Sequence, residues 1–170
     1  SYSLKADAIK SRLAEFRAVS EDASDIRIFE ELCFCICTAG ASARMGLRSV
    51  EAMRDILYEG SLKQLQRRLR GVHRFPNNRP VYIFHTREYL KRTYGFRLFT
   101  IIDSFVDPLE RRDFLAGNRD IKGIGYKEAS HFLRNIGYTG YAILDKHILN
   151  ILYETGILKS AKPPSNREQY

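Results

Sequence analysis

The sequence predicts an all-α protein, on three observations. Apolar residues recur at helical spacing almost throughout its 170 residues. No convincing run alternates apolar and polar as a half-buried strand would, and no Asn-Gly turn joins two strand-like runs. Helix start and stop signals stand where the periodic stretches begin and end.

Taken in order, Leu4, Ala8, Ile9, Leu13 and Phe16 form one amphipathic face. Ser24 or Asp25 then caps a more buried helix through Phe29, Leu32, Cys33 and Ile36, which Gly40 ends. A third helix turns Leu47, Val50, Met53 and Leu57 inward, and a fourth opens on Ser61 with Gln64 three residues on, a capping-box pattern. The stretch Arg74-Phe75-Pro76-Asn77-Asn78-Arg79-Pro80 reads as a loop, because two prolines and two asparagines oppose a continuous helix. Leu98, Ile101, Ile102 and Phe105 give a short helix; Asp107-Pro108 supplies an N-cap and a proline at the first position of the next, which runs to about Asn118. Ser165 with Glu168 is a further capping box, so a helix is expected to open there and carboxy-terminal helices to be missing after 170.

At 44% hydrophobic and 28% charged residues, this length supports one core or two small subdomains sharing it, which excludes collagen-like, coiled-coil and disordered classes. No apolar run approaches the roughly 20 residues a membrane helix needs, and the first residues hold no signal-peptide core. An intracellular protein is the expectation. Cys33, Cys35 and Cys37 share one apolar run with no partner elsewhere, so they read as reduced core thiols rather than a disulfide framework or a four-thiolate cluster.

Charge points to a partner. Residues 61–92 hold nine Lys or Arg (Lys63, Arg67, Arg68, Arg70, Arg74, Arg79, Arg87, Lys91, Arg92) against one acid, Glu88. The net charge of +8 is therefore confined to this stretch, since 19 basic and 19 acidic groups remain elsewhere. Such segregation suits a nucleic-acid surface, with an acidic protein as the alternative.

The most specific segment is Asp120-Ile121-Lys122-Gly123-Ile124-Gly125-Tyr126-Lys127-Glu128-Ala129-Ser130-His131-Phe132-Leu133-Arg134-Asn135-Ile136-Gly137, two helices joined by Gly-Ile-Gly. Glycine there permits positive φ and lets a phosphate approach backbone amides at the amino terminus of the next helix. Ala129, Phe132, Leu133 and Ile136 share that helix's apolar face, whereas Lys127, His131 and Arg134 fall on another. Lys127 is thus presented beside the phosphate-binding turn.

This segment resembles the helix-hairpin-helix DNA glycosylases, and in particular the short archaeal-type 8-oxoguanine DNA glycosylase/AP lyases. The run Glu31-Leu32-Cys33-Phe34-Cys35-Ile36-Cys37-Thr38-Ala39, the triplet His73-Arg74-Phe75 and the run Ala142-Ile143-Leu144-Asp145-Lys146-His147 are similar to that family as well. The resemblance implies two helical subdomains flanking a DNA-binding cleft, within a single domain over 1–170 whose hairpin spans about 108–137. It implies Lys127 as nucleophile and Asp145, 18 residues later, as catalytic aspartate. An unprotonated amine displaces the base at the sugar C1′ and forms a Schiff base whose β-elimination cuts the strand. Asp145, just before Lys146-His147-Ile148, is placed to cap a helix and to stabilise positive charge on the sugar. Because the target lies inside a duplex, it must be extruded and stacked; Phe75 and His73 are the implied base pocket. The DNA-contacting set is Lys122, Gly123, Gly125, Arg74, Arg79, Lys146 and His147.

What the resemblance implies further is a monomer acting on duplex DNA with an oxidised guanine, in a prokaryote of archaeal type; the mechanism calls for no metal or organic cofactor, although hairpin carbonyls can hold a monovalent ion. In two respects the chain departs from the family. Gly40 stands where asparagine is common at the turn entering the DNA, leaving Ser42 or Arg44 as substitutes, and the family's carboxy-terminal aromatics and terminal lysine are lacking. Two other readings stand beside this one: a glycosylase for an oxidised pyrimidine or mismatched adenine, and a non-catalytic hairpin module, which would need neither Lys127 nor Asp145.

Overall fold

The computed structural model describes residues 2–22, 24–164 and 166–170; the side chain of Leu4 and the capping box on Ser165 lie outside what it describes. Among the described residues there are nine α-helices and no strand. They are α1 (Tyr2–Asp22), α2 (Asp25–Thr38), α3 (Ala43–Met53), α4 (Leu62–Leu69), α5 (Asn78–Tyr94), α6 (Leu98–Asp103), α7 (Pro108–Ala116), α8 (Tyr126–Asn135) and α9 (Lys146–Glu154), with a single 3-10 turn, Arg54–Ile56, after α3. No described helix is long and apolar enough to cross a membrane.

Helix α2 is the pillar of the core. Ile28, Phe29, Leu32, Cys33, Cys35, Ile36 and Cys37 are all buried, so it is apolar nearly all round, and α1, α3, α5, α6 and α8 pack around it. Burial pushes the Cys37 thiol up to about 12 and those of Cys33 and Cys35 higher than usual, leaving three inert thiols in the core. From α8, Ala129, Phe132 and Leu133, with Ile136 at its C-cap, complete this core.

Local rules hold where the chain writes them out. The Ser61 hydroxyl accepts the Gln64 N–H while the Gln64 side chain accepts the Ser61 N–H at 2.8 Å, closing the capping box of α4. Asp107 accepts the Leu109 N–H at 2.8 Å and Pro108 opens α7.

Tertiary neighbours overrule the pattern elsewhere. Leu47 is 62% exposed, because α3 turns Val50 and Met53 to α2 and leaves Leu47 on the outer side. In α1, Ile9 and Leu13 are exposed and Phe16 alone is buried among the described side chains, since α1 meets the body at its carboxy-terminal half. Ser24 is the N-cap of α2 but makes no side-chain cap bond, and the Asp25 carboxylate accepts the Phe99 N–H at 2.8 Å, tying α2 to α6. Phe105 lies beyond the end of α6. Helix α5 starts inside the expected loop, at Asn78. Pro80 is its third residue, where an N–H would have no intrahelical partner anyway.

One basic residue of the cationic stretch belongs to this core. Arg87 is 2% exposed, donates to the Leu57 carbonyl at 2.9 Å, pairs with Glu88 at 2.9 Å and lies 4.9 Å over the Phe84 ring. Arg87→Ala would orphan a buried carbonyl and leave a void; a loss of about 2–4 kcal/mol of unfolding free energy is expected from denaturant titration. The salt dependence of DNA binding, in contrast, should be unchanged in this variant.

Candidate active site and nucleic-acid interface

The hairpin turn between α7 and α8 is fixed by a close approach. Gly123 has φ +76°, and a Cβ there would stand 2.7 Å from Cδ2 of Tyr82 and 3.4 Å from Cγ2 of Ile36. Only glycine fits. Gly125 differs: it is the N-cap of α8 in extended conformation, with nothing near its absent Cβ but the Glu128 carboxylate. The turn is anchored to α5 by the Lys122 N–H, which donates to the Thr86 hydroxyl at 2.9 Å.

Two helix amino termini then meet at one cavity. Its volume is about 420 Å³, and its lining includes Gly125, Lys127 and Glu128 from the start of α8 together with Asp145 and Lys146 from the start of α9. Lys127 is half-exposed, with Nζ 3.5 Å from Oε1 of Glu128. Asp145 caps α9, its Oδ1 accepting the Ile148 N–H at 2.9 Å. Two positions 18 residues apart in the chain thus line a single space. Tyr170, which sequence reasoning gave no role, lines it too; its ring stacks on Tyr126 at 5.8 Å and its hydroxyl donates to the Ala142 carbonyl at 2.7 Å. Arg112, 6% exposed, lies over both rings. No local signal marks either residue, because both are defined by the stack they complete.

The other residues of the α8 stripe do not accompany Lys127 outward. His131 packs edge-on to Phe34 at 5.7 Å, and Arg134 lies over Phe16 at 4.9 Å and donates to the Asn135 amide. Burial first, then the Arg134 and Lys127 cations, pushes the His131 imidazole down to about 4.

The basic loop is built differently from a row of free cations. His73 is 4% exposed, its Nε2 donating to the Cys37 carbonyl and its Nδ1 accepting the Phe75 N–H, both at 2.9 Å. Both ring nitrogens are thus engaged within the protein, and their bonds fix the loop. Arg74 donates to the Gly40 carbonyl at 3.0 Å and Arg79 to that of Ala39. Both guanidinium groups lie over the Phe75 ring, at 4.5 and 5.3 Å. Ser42, one substitute considered for the turn at Gly40, is spent as the N-cap of α3; Arg44 is exposed. Arg68 pairs with Asp55, and Lys91 with Glu59 and the Tyr58 carbonyl. Lys63, Arg67, Arg70, Arg92, Lys146 and His147 are exposed.

The sequence model of the 8-oxoguanine DNA glycosylase family, of the helix-hairpin-helix class, matches residues 9–170. The chain belongs to this family. A curated relative in the family, the 8-oxoguanine DNA glycosylase/AP lyase of Korarchaeum cryptofilum, is 39% identical over 165 residues, which span 96% of this chain and 74% of the relative. The crystal structure of Methanocaldococcus jannaschii 8-oxoguanine DNA glycosylase superposes with a TM-score of 0.87 at 37% identity, covering 100% of this chain and 75% of that one. The same enzyme in complex with a 15mer DNA containing 8-oxoguanine gives a TM-score of 0.86 at 37% identity, over 99% of this chain and 79% of that one. The all-helical glycosylase fold is thereby shared.

The depressed His131 has a measurable consequence. Its folded value, about 4, lies below the ordinary 6.5 of the unfolded chain, so from pH 6.5 downward the unfolded state takes up a proton that the folded state refuses. Stability present above pH 6.5 is then lost as the pH falls toward 4, and buried His73, also shifted down, adds to the loss. In His131→Gln, melting temperatures measured across this window should decline with a shallower slope than in the wild type.

Proposed function

We propose that this chain excises 8-oxoguanine from duplex DNA and cuts the strand at the resulting abasic site, by way of a lysine Schiff base and β-elimination. The observation that carries this reading is the shared cavity: Lys127 and Asp145 line one space beside a glycine turn suited to a phosphate, in a member of a family whose relatives bear that activity in their names. The Lys127 amine attacks C1′ as the base departs. The Asp145 carboxylate, held by its cap bond, faces the positive charge that develops on the sugar. Amides near Gly123 and Gly125, with Lys122, Lys146 and His147, hold the flanking phosphates. Arg74 and Arg79 use their remaining donors on the strand.

Phe75 is the stacking surface for the extruded base, pre-positioned by His73 and the two guanidinium groups. Lys127, Asp145 and the hairpin all come from one chain, which supports action as a monomer. The relatives are archaeal and bacterial, and work on chromosomal DNA inside a prokaryotic cell is the corresponding setting.

Borohydride trapping tests the nucleophile: wild type should yield a covalent adduct with an 8-oxoguanine duplex, and Lys127→Gln none. Asp145→Asn should keep duplex affinity within about threefold yet lose on the order of 10²-fold or more in base release, since the variant retains shape and loses charge. Trapping that persists in Lys127→Gln would place the nucleophile elsewhere.

Phe75→Ala separates stacking from general binding. It should cost about 1–3 kcal/mol on damaged duplex and leave undamaged duplex unaffected in a fluorescence titration. Equal losses on both would make Phe75 a packing residue.

A further inference from the structure

We propose that Glu128 is the base of the strand-cutting step, the carboxylate that removes the C2′ proton once the Schiff base has formed; this rests on Lys127 being the Schiff-base lysine. The geometry starts from bond lengths. In the imine, C1′ is bonded to Nζ and C2′ to C1′, so C2′ lies about 2.5 Å from Nζ. The base for its proton must therefore stand next to Nζ. Oε1 of Glu128 is 3.5 Å from Nζ, a separation that has only to tighten modestly in the covalent complex.

The two acids of the cavity are not equivalent. Asp145 commits Oδ1 to the Ile148 N–H. Glu128, with its side chain 17% exposed, faces the Lys127 ammonium. It also stands in the first turn of α8, beside backbone N–H groups that have no intrahelical partner. A Cβ on Gly125 would come 3.3 Å from Oε2 of Glu128, so the bare glycine keeps this carboxylate open at the turn where the sugar-phosphate strand is expected.

The step balances within the site. Glu128 takes the C2′ proton, and the C–H electron pair forms a C1′–C2′ double bond while the iminium π pair moves to nitrogen. The resulting enamine restores the C–N double bond, a C2′–C3′ double bond forms, and the C3′–O bond breaks with its electron pair leaving on the phosphate. Water then hydrolyses the iminium, releasing the unsaturated aldehyde and Lys127 as its ammonium, and Glu128 and the ammonium each give a proton to solvent.

The test uses wild type, Glu128→Gln and Glu128→Asp in single-turnover assays on two duplexes, one with 8-oxoguanine and one with a preformed abasic site. In Glu128→Gln, base release should stay within about threefold of wild type, strand cutting on both duplexes should fall about 30-fold or more, and the borohydride-trappable adduct should accumulate. Glu128→Asp should recover part of the cutting. Unchanged cutting in Glu128→Gln overturns the proposal. So does a parallel fall of base release and cutting that Glu128→Asp does not separate. Failure of the underlying reading looks different, because an adduct that survives Lys127→Gln removes the lysine assignment whatever Glu128 does.

Discussion

The carboxyl end of α2 is the point on which the rest of the molecule depends. A helix leaves its last carbonyls without intrahelical partners, and at the end of this one Cys37 is buried while Ala39 and Gly40 lie nearer the surface. The chain supplies side chains from a segment more than 30 residues on: His73 to Cys37, Arg79 to Ala39 and Arg74 to Gly40. Two of the three are cations set against the negative end of the helix dipole, an arrangement that contributes roughly 0.3–1 kcal/mol each and more where partly buried. The central helix and the basic loop are consequently one unit. Phe75, whose N–H is held by His73 and whose ring lies beneath both guanidinium groups, is positioned by the same bonds that finish α2.

A second use of helix ends governs the chemistry. Helices α8 and α9 both begin at the cavity, one from a glycine and the other from an aspartate cap, so the space between them is bordered by unpaired N–H groups that favour negative charge. The carboxylates of Glu128 and Asp145 stand at these helix starts. The core face of α8 fixes the direction in which Lys127 leaves the helix, because Ala129, Phe132, Leu133 and Ile136 admit little rotation against α2. Gly123 fixes its height, since the turn closes onto Tyr82 and Ile36.

What was legible in the sequence was whatever short-range chemistry determines. The capping box at Ser61, the Asp107-Pro108 start, the Asp145 cap and the apolar face of α8 each follow from residues within one or two turns, and the structure has all of them. Leu47 and Leu13 were misplaced because an amphipathic pattern says which face is apolar but not how much of the helix a neighbour covers. Pro80 was misplaced for the opposite reason: a proline breaks a helix interior yet is tolerated in the first turn, and the sequence did not reveal where that turn began. Tyr170 and Arg112 were invisible, since the Tyr126–Arg112–Tyr170 stack unites three segments distant in the chain.

The cationic stretch shows how charge counting overstates a binding surface. The segregation of nine basic residues in 61–92 suits a nucleic-acid surface, and the fold divides them by partner. Arg87 is sealed in the core, Arg68 and Lys91 answer carboxylates on the segment after α3, and Arg74 and Arg79 each commit one donor to a carbonyl at the end of α2. A guanidinium has five N–H donors in a planar fork, so the last two retain others after that commitment, which a lysine ammonium holding the same carbonyl would do less well. The preference for arginine across this loop follows from that arithmetic: the same side chain can finish a helix, brace an aromatic ring and still present hydrogen-bond donors to a phosphate.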